Sequence, residues 1–442
     1  MKHWFTLIGL TLSAMLCGSE NILQTPVPVP ETLIRESLAS LERAGEFLEK
    51  KQTADGEWGG DPAITALCAM ALLESGDAIP AAKKNKMIAK ARQHILKFVQ
   101  KDGSIYPADR RRAYPVYSTA IILTFLADLR NKEDETIMRN ARKYLIGLQI
   151  DEDNKDVPVD KDDPRYGGFG YGPGKRGASH VDLSNSQWVA EALYASEYLV
   201  KESNGGTAEE AKEADLAWDK LAVFITKMQH LPDTNDSKWV VSDPNDPSYG
   251  GFIYAQPKTG KEMRGGPGGP GGKGRDGKGG PASYGRNGSD IGPGQKGNPV
   301  DVRTGQGESL RSYGSMTYAG LKSMIYAKVK KDDPRVVAAL SWAAKHYTLD
   351  ENPGRGTSGH YYYLQTFAKA HSALGADSVK TPDGVIHNWR LDVIRKLITV
   401  QKGDGSWVNT DGRYQESMPE LVTAYSMLTM ELALGKERFA GK

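Results

Sequence analysis

The sequence predicts an all-α fold, a closed α6/α6 toroid of six helix pairs, on three observations. An amphipathic helix, a Gly-containing turn and a nearly all-apolar helix recur in that order along the chain. Where loops are short, the unit repeats at 48 and 49 residues, measured from Gln52 to Gln100 to Gln149. The second helix of each unit is too apolar to face water, so it needs a ring of its own kind to bury it.

The chain opens with a targeting segment, residues 1–19, which the fold does not use. MKHWFTLIGLTLSAMLCGS places Lys2 before an apolar run from Trp4 to Leu16 and then small residues. The run is too short to span a bilayer and has the build of a secretory signal, so the expectation is a secreted or periplasmic protein. Lipid anchoring at Cys17 is the lesser alternative, because Leu16 is large where a small residue is preferred. Residues 20–30, ending in PVPVP, read as a stiff extended spacer.

The helical repeats are expected to occupy 31–440. In the first unit Leu33, Ile34, Leu38, Leu41, Ala44, Phe47 and Leu48 form one stripe, ADGEWGG makes the turn, and Pro62 opens the apolar helix PAITALCAMALLESG. The second runs HILKFVQKDGSIY to YPVYSTAIILTFLADL; the third, NARKYLIGLQ through YGGFGYG to VDLSNSQWVAEALYASEYL. The fourth pairs KLAVFITKMQ and YGGFIY with SYGSMTYAGLKSMIYA. The fifth places Tyr347 where a Gln is expected, before GHYYYLQTFAKAHSALG. The sixth, DVIRKLITVQKGDGSW, returns to the first turn's pattern. Residues 256–308 interrupt unit four with a Gly/Pro-rich, nearly aliphatic-free stretch that reads as a disordered insertion.

Composition removes several function classes. Lys plus Arg number 57 against 55 Asp plus Glu, so no global field recruits nucleic acid or an acidic membrane surface. Two cysteines, Cys17 and Cys68, build neither a disulfide framework nor a thiolate zinc site. No histidines fall at HxxxH spacing. No cofactor, no metal and no integral membrane span are expected.

The stretch RAGEFLEKKQTADGEW, residues 43–58, resembles the QW repeat of squalene–hopene and oxidosqualene cyclases, through Arg43, Ala44, Phe47, Leu48, Gln52, Gly56 and Trp58. The sixth unit keeps Gln401, Gly405 and Trp407 but has Lys396 in the aromatic position, and units three and four replace the Trp turn by YGGF. The resemblance spans nearly all of the mature chain. It implies the toroid shared by triterpene cyclases and protein prenyltransferase β-subunits, with these Gln and Trp residues as scaffold.

The family's chemistry does not follow the fold. Triterpene cyclisation needs a strong acid in a DxDD motif. Asp160, Lys161, Asp162 and Asp163 match the letters, but in an acidic, proline-broken loop, and KKDDPRV at 330–336 shows that DDPR simply opens helices or turns. The prenyltransferase zinc ligands, a DDxxD magnesium motif and a thioester GCGEQ are all missing.

What remains is a set of polar and aromatic residues at the starts of the apolar helices, where a central cavity would open. Ligand-binding candidates are Tyr117, Gln187, Trp188, Arg311, Tyr313, Tyr362, Tyr363, Arg413 and Glu416; weak catalytic candidates are His360, Tyr361, Asn185 and Asp182. Asp182 also reads as a plain helix cap, and the tyrosines as core. Three functions stay open: a ligand- or partner-binding toroid without the cyclase acid, a divergent enzyme on an isoprenoid, and a secreted polysaccharide lyase-like enzyme using His360, Tyr361 and Asn185. A small molecule or glycan in the central cavity is the expected partner.

Overall fold

The computed structural model describes residues 22–23, 28–110, 113–256 and 310–435. The leader, most of the spacer and the Gly/Pro-rich insertion lie outside the described residues.

The fold is all-α. In chain order the helices are α1 (Glu31–Lys51), α2 (Pro62–Glu74), α3 (Ala81–Leu96), α4 (Pro115–Leu129), α5 (Glu135–Ile146), the short α6 (Gly174–Ala178) and α7 (Leu183–Ala195). They continue as α8 (Ala208–Thr226), α9 (Gly314–Tyr326), α10 (Pro334–Lys345), α11 (His360–Leu374), α12 (Trp389–Val400) and α13 (Pro419–Leu434). The apolar helices α2, α4, α7, α9, α11 and α13 pack in that succession, and α13 packs in turn on α2. Their lack of a polar face is thereby explained: α4, for example, buries every residue from Ser118 to Ala127. The amphipathic helices lie against them, α3 on α2, α5 on α4, α10 on α9, and α1 on α12 and α13.

One turn recurs between outer and inner helices, and its parts do the same work each time. The Gln that ends an outer helix donates from Nε2 to a turn carbonyl and to a carbonyl of the next outer helix. Gln52 reaches Gly56 and Met87, Gln149 reaches Gly167 and Ala217, Gln229 reaches Gly250 and Arg335, and Gln401 reaches Gly405 and Ser40. Tyr347, in the Gln position of unit five, makes the same reach by another chemistry: its hydroxyl donates to Asp392 of α12 at 2.9 Å. Gln100 departs, closing only its own turn on Phe98 and Tyr106.

The turn glycines Gly56, Gly103, Gly167, Gly250 and Gly405 all have φ between 85° and 93°, and a Cβ on any of them would strike a carbonyl of the next outer helix. Two residues later a buried side chain plugs the turn. Its backbone N–H donates to a hydroxyl on the following inner helix: Trp58 to Thr65, Ile105 to Thr119, Phe169 to Ser186, Phe252 to Thr317 and Trp407 to Thr423. The YGGF turns of units three and four therefore keep the geometry with Phe in place of Trp. What they lose is the indole donor, which runs from Trp58 to Leu48 and from Trp407 to Leu397.

The DDPR duplicates are alike in structure as well as in sequence. Arg165 forks onto Asp163 and Arg335 onto Asp333, and each Asp also accepts its Arg's backbone N–H. Asp333 is the cap of α10, and Asp160 and Asp162 are exposed. One feature escaped the sequence: β1 (Ile22–Leu23), β2 (Ser378–Lys380) and β3 (Ile386–Asn388) form a small antiparallel sheet with order β1-β2-β3, so part of the expected spacer is a strand.

Gly405→Ala is expected to lower stability by about 2 kcal/mol or more, since it combines left-handed backbone with a collision against Arg43 O. Gly403→Ala, two residues away in open space, should stay within about 0.5 kcal/mol. Urea midpoints of the two proteins decide it.

Candidate functional site

The starts of the inner helices build a buried polar layer. Asp182, the cap of α7, accepts from Asn185 N and from Asn185 Nδ2, both at 2.8 Å. Burial pushes the Asp182 carboxyl up to about 6, against these hydrogen bonds and one from Tyr254. The Tyr254 hydroxyl lies 2.6 Å from that of Tyr171. On the other side, the cap position of α11 is Gly359, which has no side chain to fill it, and Glu416 supplies the cap from the next unit. Its carboxylate accepts from Tyr361 N at 3.2 Å, Tyr362 N at 2.8 Å and Asn409 Nδ2 at 2.7 Å, while burial pushes its pKa up to about 7. The turn that delivers Glu416 carries two consecutive non-glycine residues in left-handed backbone, Tyr414 at φ 55° and Gln415 at φ 66°. Such residues cost about 1–3 kcal/mol each and persist only where their surroundings hold them.

Next along the inner helices lies an aromatic layer from four of them. Tyr117 of α4 stands edge-on to Trp188 of α7, with ring centroids 5.9 Å apart. Trp188 is followed by Tyr362 of α11 at 6.3 Å and Tyr425 of α13 at 6.1 Å from Tyr362. Gln187 Nε2 donates to the Tyr362 hydroxyl at 3.0 Å.

Deeper still, one turn beyond Trp188, sits a charged cluster. Lys322 of α9 donates to Gln187 Oε1 and to Glu191 Oε2, both at 2.5 Å, and Lys369 of α11 is paired with Glu191 Oε1. Both ammoniums stand against the Trp188 ring, 5.6 and 5.5 Å from its centroid. Burial alone would raise Glu191, but the two lysines hold it down to about 2; burial lowers Lys322 to about 8 despite Glu191.

The structure thus packs Tyr117, Gln187, Trp188 and Tyr362 against one another, with Asp182 and Glu416 buried at the starts of α7 and α11. The others go elsewhere. His360 Nε2 donates to Leu349 O at 3.0 Å, and burial lowers its pKa. Tyr361 is buried and pushed up to about 12. Tyr363 donates to Thr348 O at 2.7 Å and packs with Tyr318 and Phe367. Tyr313 is covered by the Arg355 guanidinium at 4.3 Å. Arg311 is exposed, and Arg413 is half-buried in the turn after Asp411. Among the described residues no hydrogen bond or ion pair joins His360 to Asn185 or Arg413. Sequence reasoning missed Glu191, Lys322 and Lys369. Their signal was there, a lone charge inside each of the apolar runs QWVAEALYA, TYAGLKSMI and QTFAKAHSA.

No family model matches the sequence, and no curated protein aligns with it. Solved structures with a similar chain path include those of the type II terpene cyclase MstE from Scytonema. An alanine variant in complex with its product merosterolic acid A is 13% identical over 92% of this chain and 99% of that one, with a TM-score of 0.46. An asparagine variant with its substrate geranylgeranyl dihydroxybenzoate is 11% identical, over 92% and 100%, with a TM-score of 0.46. A ligand-free phenylalanine variant gives 11%, 92%, 99% and 0.47. At this level of identity and superposition the chemistry has to come from this chain's own residues. Among the described residues no helix is long and apolar enough to cross a membrane, and no three His, Cys, Asp or Glu side chains are grouped to hold a metal ion.

Glu416 makes a pH prediction. Its folded pKa, about 7, lies above the ordinary 4.5. Its contribution to stability is therefore complete below about pH 4.5 and is lost as pH rises through 7. Relative to Glu416→Gln, the unchanged protein should lose about 2–3 kcal/mol between pH 4.5 and 8, measured by urea unfolding at both ends.

Proposed function

We propose that the chain is an α6/α6 toroid of six helix pairs, exported by its leader, whose central chamber binds a small amphiphilic molecule without cyclising it. The observation that carries this reading is the pair of ammoniums on the face of Trp188. A cyclase chamber needs free aromatic faces to guide a carbocation. Here a cation stacked on the other face of the indole would still lie roughly 9 Å from two like charges, each costing about 2 kcal/mol at an effective dielectric of ~20, with only Glu191 to offset them. The DxDD letters support the same reading, since Asp163 is spent on Arg165 and its two companions are exposed. The Tyr117, Trp188, Tyr362 and Tyr425 rings supply the apolar contact such a ligand needs.

Asp182 favours a second reading. A buried carboxyl with a pKa raised to about 6, beside Tyr254, is a proton donor in waiting, and would suit an enzyme acting at the chamber's rim.

The mature protein, residues 20–442, is incubated with geranylgeraniol, squalene or an oligouronate, reading tryptophan fluorescence and extracted products together. Saturable quenching by the apolar compounds with no new product is the expected result, and Trp188→Phe should reduce the quench. A product that vanishes in Asp182→Asn would establish the enzyme instead; a response to the uronate alone would move the protein to sugar chemistry.

A further inference from the structure

Near its C-terminal end α11 buries a histidine whose ring nothing satisfies. His371 is 1% exposed, and neither Nδ1 nor Nε2 has a hydrogen-bond partner among the described residues. Three rings cage it: Phe367, one turn back on α11, edge-on at 4.6 Å; Tyr318 of α9 at 5.5 Å; and Trp389, the first residue of α12, stacked at 5.6 Å. Trp389 is fixed by its Nε1, which donates to Ala376 O at 2.6 Å and so ties the start of α12 to the chain just beyond α11. The charges around the cage are committed elsewhere. Arg390 of α12 is bonded to Asp377, and Tyr347 and His387 of β3 both turn to Asp392. Lys322 of α9 and Lys369 of α11 are paired with Glu191. The other helix packed on α11 is α13, with Glu420 in its first turn and Glu431 in its last, and neither is hydrogen-bonded to His371.

We propose that His371 is an acid-operated latch: a protonated imidazole is not kept in this cage, and the connection between α11 and α12 opens to let it reach water. The proposal is independent of the ligand reading above. Neutral, the imidazole packs as one more ring. Protonated, it gains some attraction from the ring faces, but it has no acceptor for either N–H and meets a like charge in Arg390. The way out is short, since α11 ends three residues later at Leu374, and Gly375 and residues 382–386 are exposed. That connection carries β2 and β3, and β1 pairs with β2 alone, so opening it also frees the N-terminal arm. The sign follows from the folded state. Burial, then Arg390, lower the His371 pKa from 6.5 to about 3, so the latch is fully held above pH 6.5 and is lost as pH falls toward 3.

Hydrogen exchange of the mature protein tests this, read by mass spectrometry across a pH series and corrected for intrinsic exchange rates. Protection of residues 376–389 should fall about thirtyfold between pH 7.5 and 5, close to tenfold per unit once below the ordinary histidine pKa, while α4 does not follow that course. His371→Phe fills the cage with a ring that takes no proton, and its protection over 376–389 should stay within about threefold across the same range. Flat protection in the unaltered protein would overturn the latch. So would an equal fall in α4, which would mean global acid unfolding, or the same fall in His371→Phe, which would assign the opening to another group. Histidine-labelled NMR gives a further reading: a His371 imidazole that takes up its proton near pH 6.5 while 376–389 stay protected would show that the cage tolerates the charge. The pH series and the α4 comparison use the unaltered protein, so they decide the matter even where His371→Phe fails to fold.

Discussion

A glutamine amide donating to two carbonyls at once is the contact on which the rest of this molecule depends. It fastens the end of one outer helix to its own turn and to the side of the next outer helix, and at Gln401 it joins residues 361 positions apart by bonding to Ser40. Gln401 Oε1 is occupied as well, by the Ser40 hydroxyl at 2.8 Å and Arg43 at 2.6 Å. A single hydrogen bond contributes about 1 kcal/mol net, yet a buried amide left without partners costs about 1–3 kcal/mol. The clasp therefore matters less for its own energy than for the register it imposes. With α12 held to α1, α13 lies against α2, and two helices with no polar face have somewhere to bury themselves.

Closing the apolar helices on one another creates an interior in which charge is consequential. At low effective dielectric a satisfied network is rigid and an unsatisfied one is costly. Glu191 is held ionised there by two lysines, while Asp182 and Glu416, buried at the starts of α7 and α11 without cationic partners of that kind, are pushed toward their neutral forms. The interior thus keeps one carboxylate charged and two carboxyls readily protonated, all three buried. The strained pair Tyr414 and Gln415 serves the last of these, since their turn delivers Glu416 to the start of α11.

Much of this was legible in the sequence because helices announce themselves locally. The apolar runs are helices where periodicity placed them, and the Gln, Gly and Trp of the first and last units sit in one kind of turn. DDPR opens a turn at Asp163 and a helix at Asp333. Less was legible where one role passes between chemically different residues. Nothing local says that the Tyr347 hydroxyl does for unit five what an amide does elsewhere, or that Phe169 and Phe252 take the place of Trp58. Two-residue strand β1 pairs with residues more than 350 positions away, beyond the reach of any pattern.

The sequence by itself determined the helix pairs, their order and the turn that separates them, because 3.6-residue periodicity, glycine and capping act within a few positions. It also determined that DxDD lies in a solvated loop. Tertiary structure alone decided which of four consecutive residues, His360 to Tyr363, turns inward. Tyr362 does, while Leu349 and Thr348 claim His360 and Tyr363. It alone brought Glu191, Lys322 and Lys369 together, since each is a single charge on a separate helix. Whether such a charge is an oddity or a site depends on what the neighbouring helices place opposite it, a property of the packing that no one helix carries.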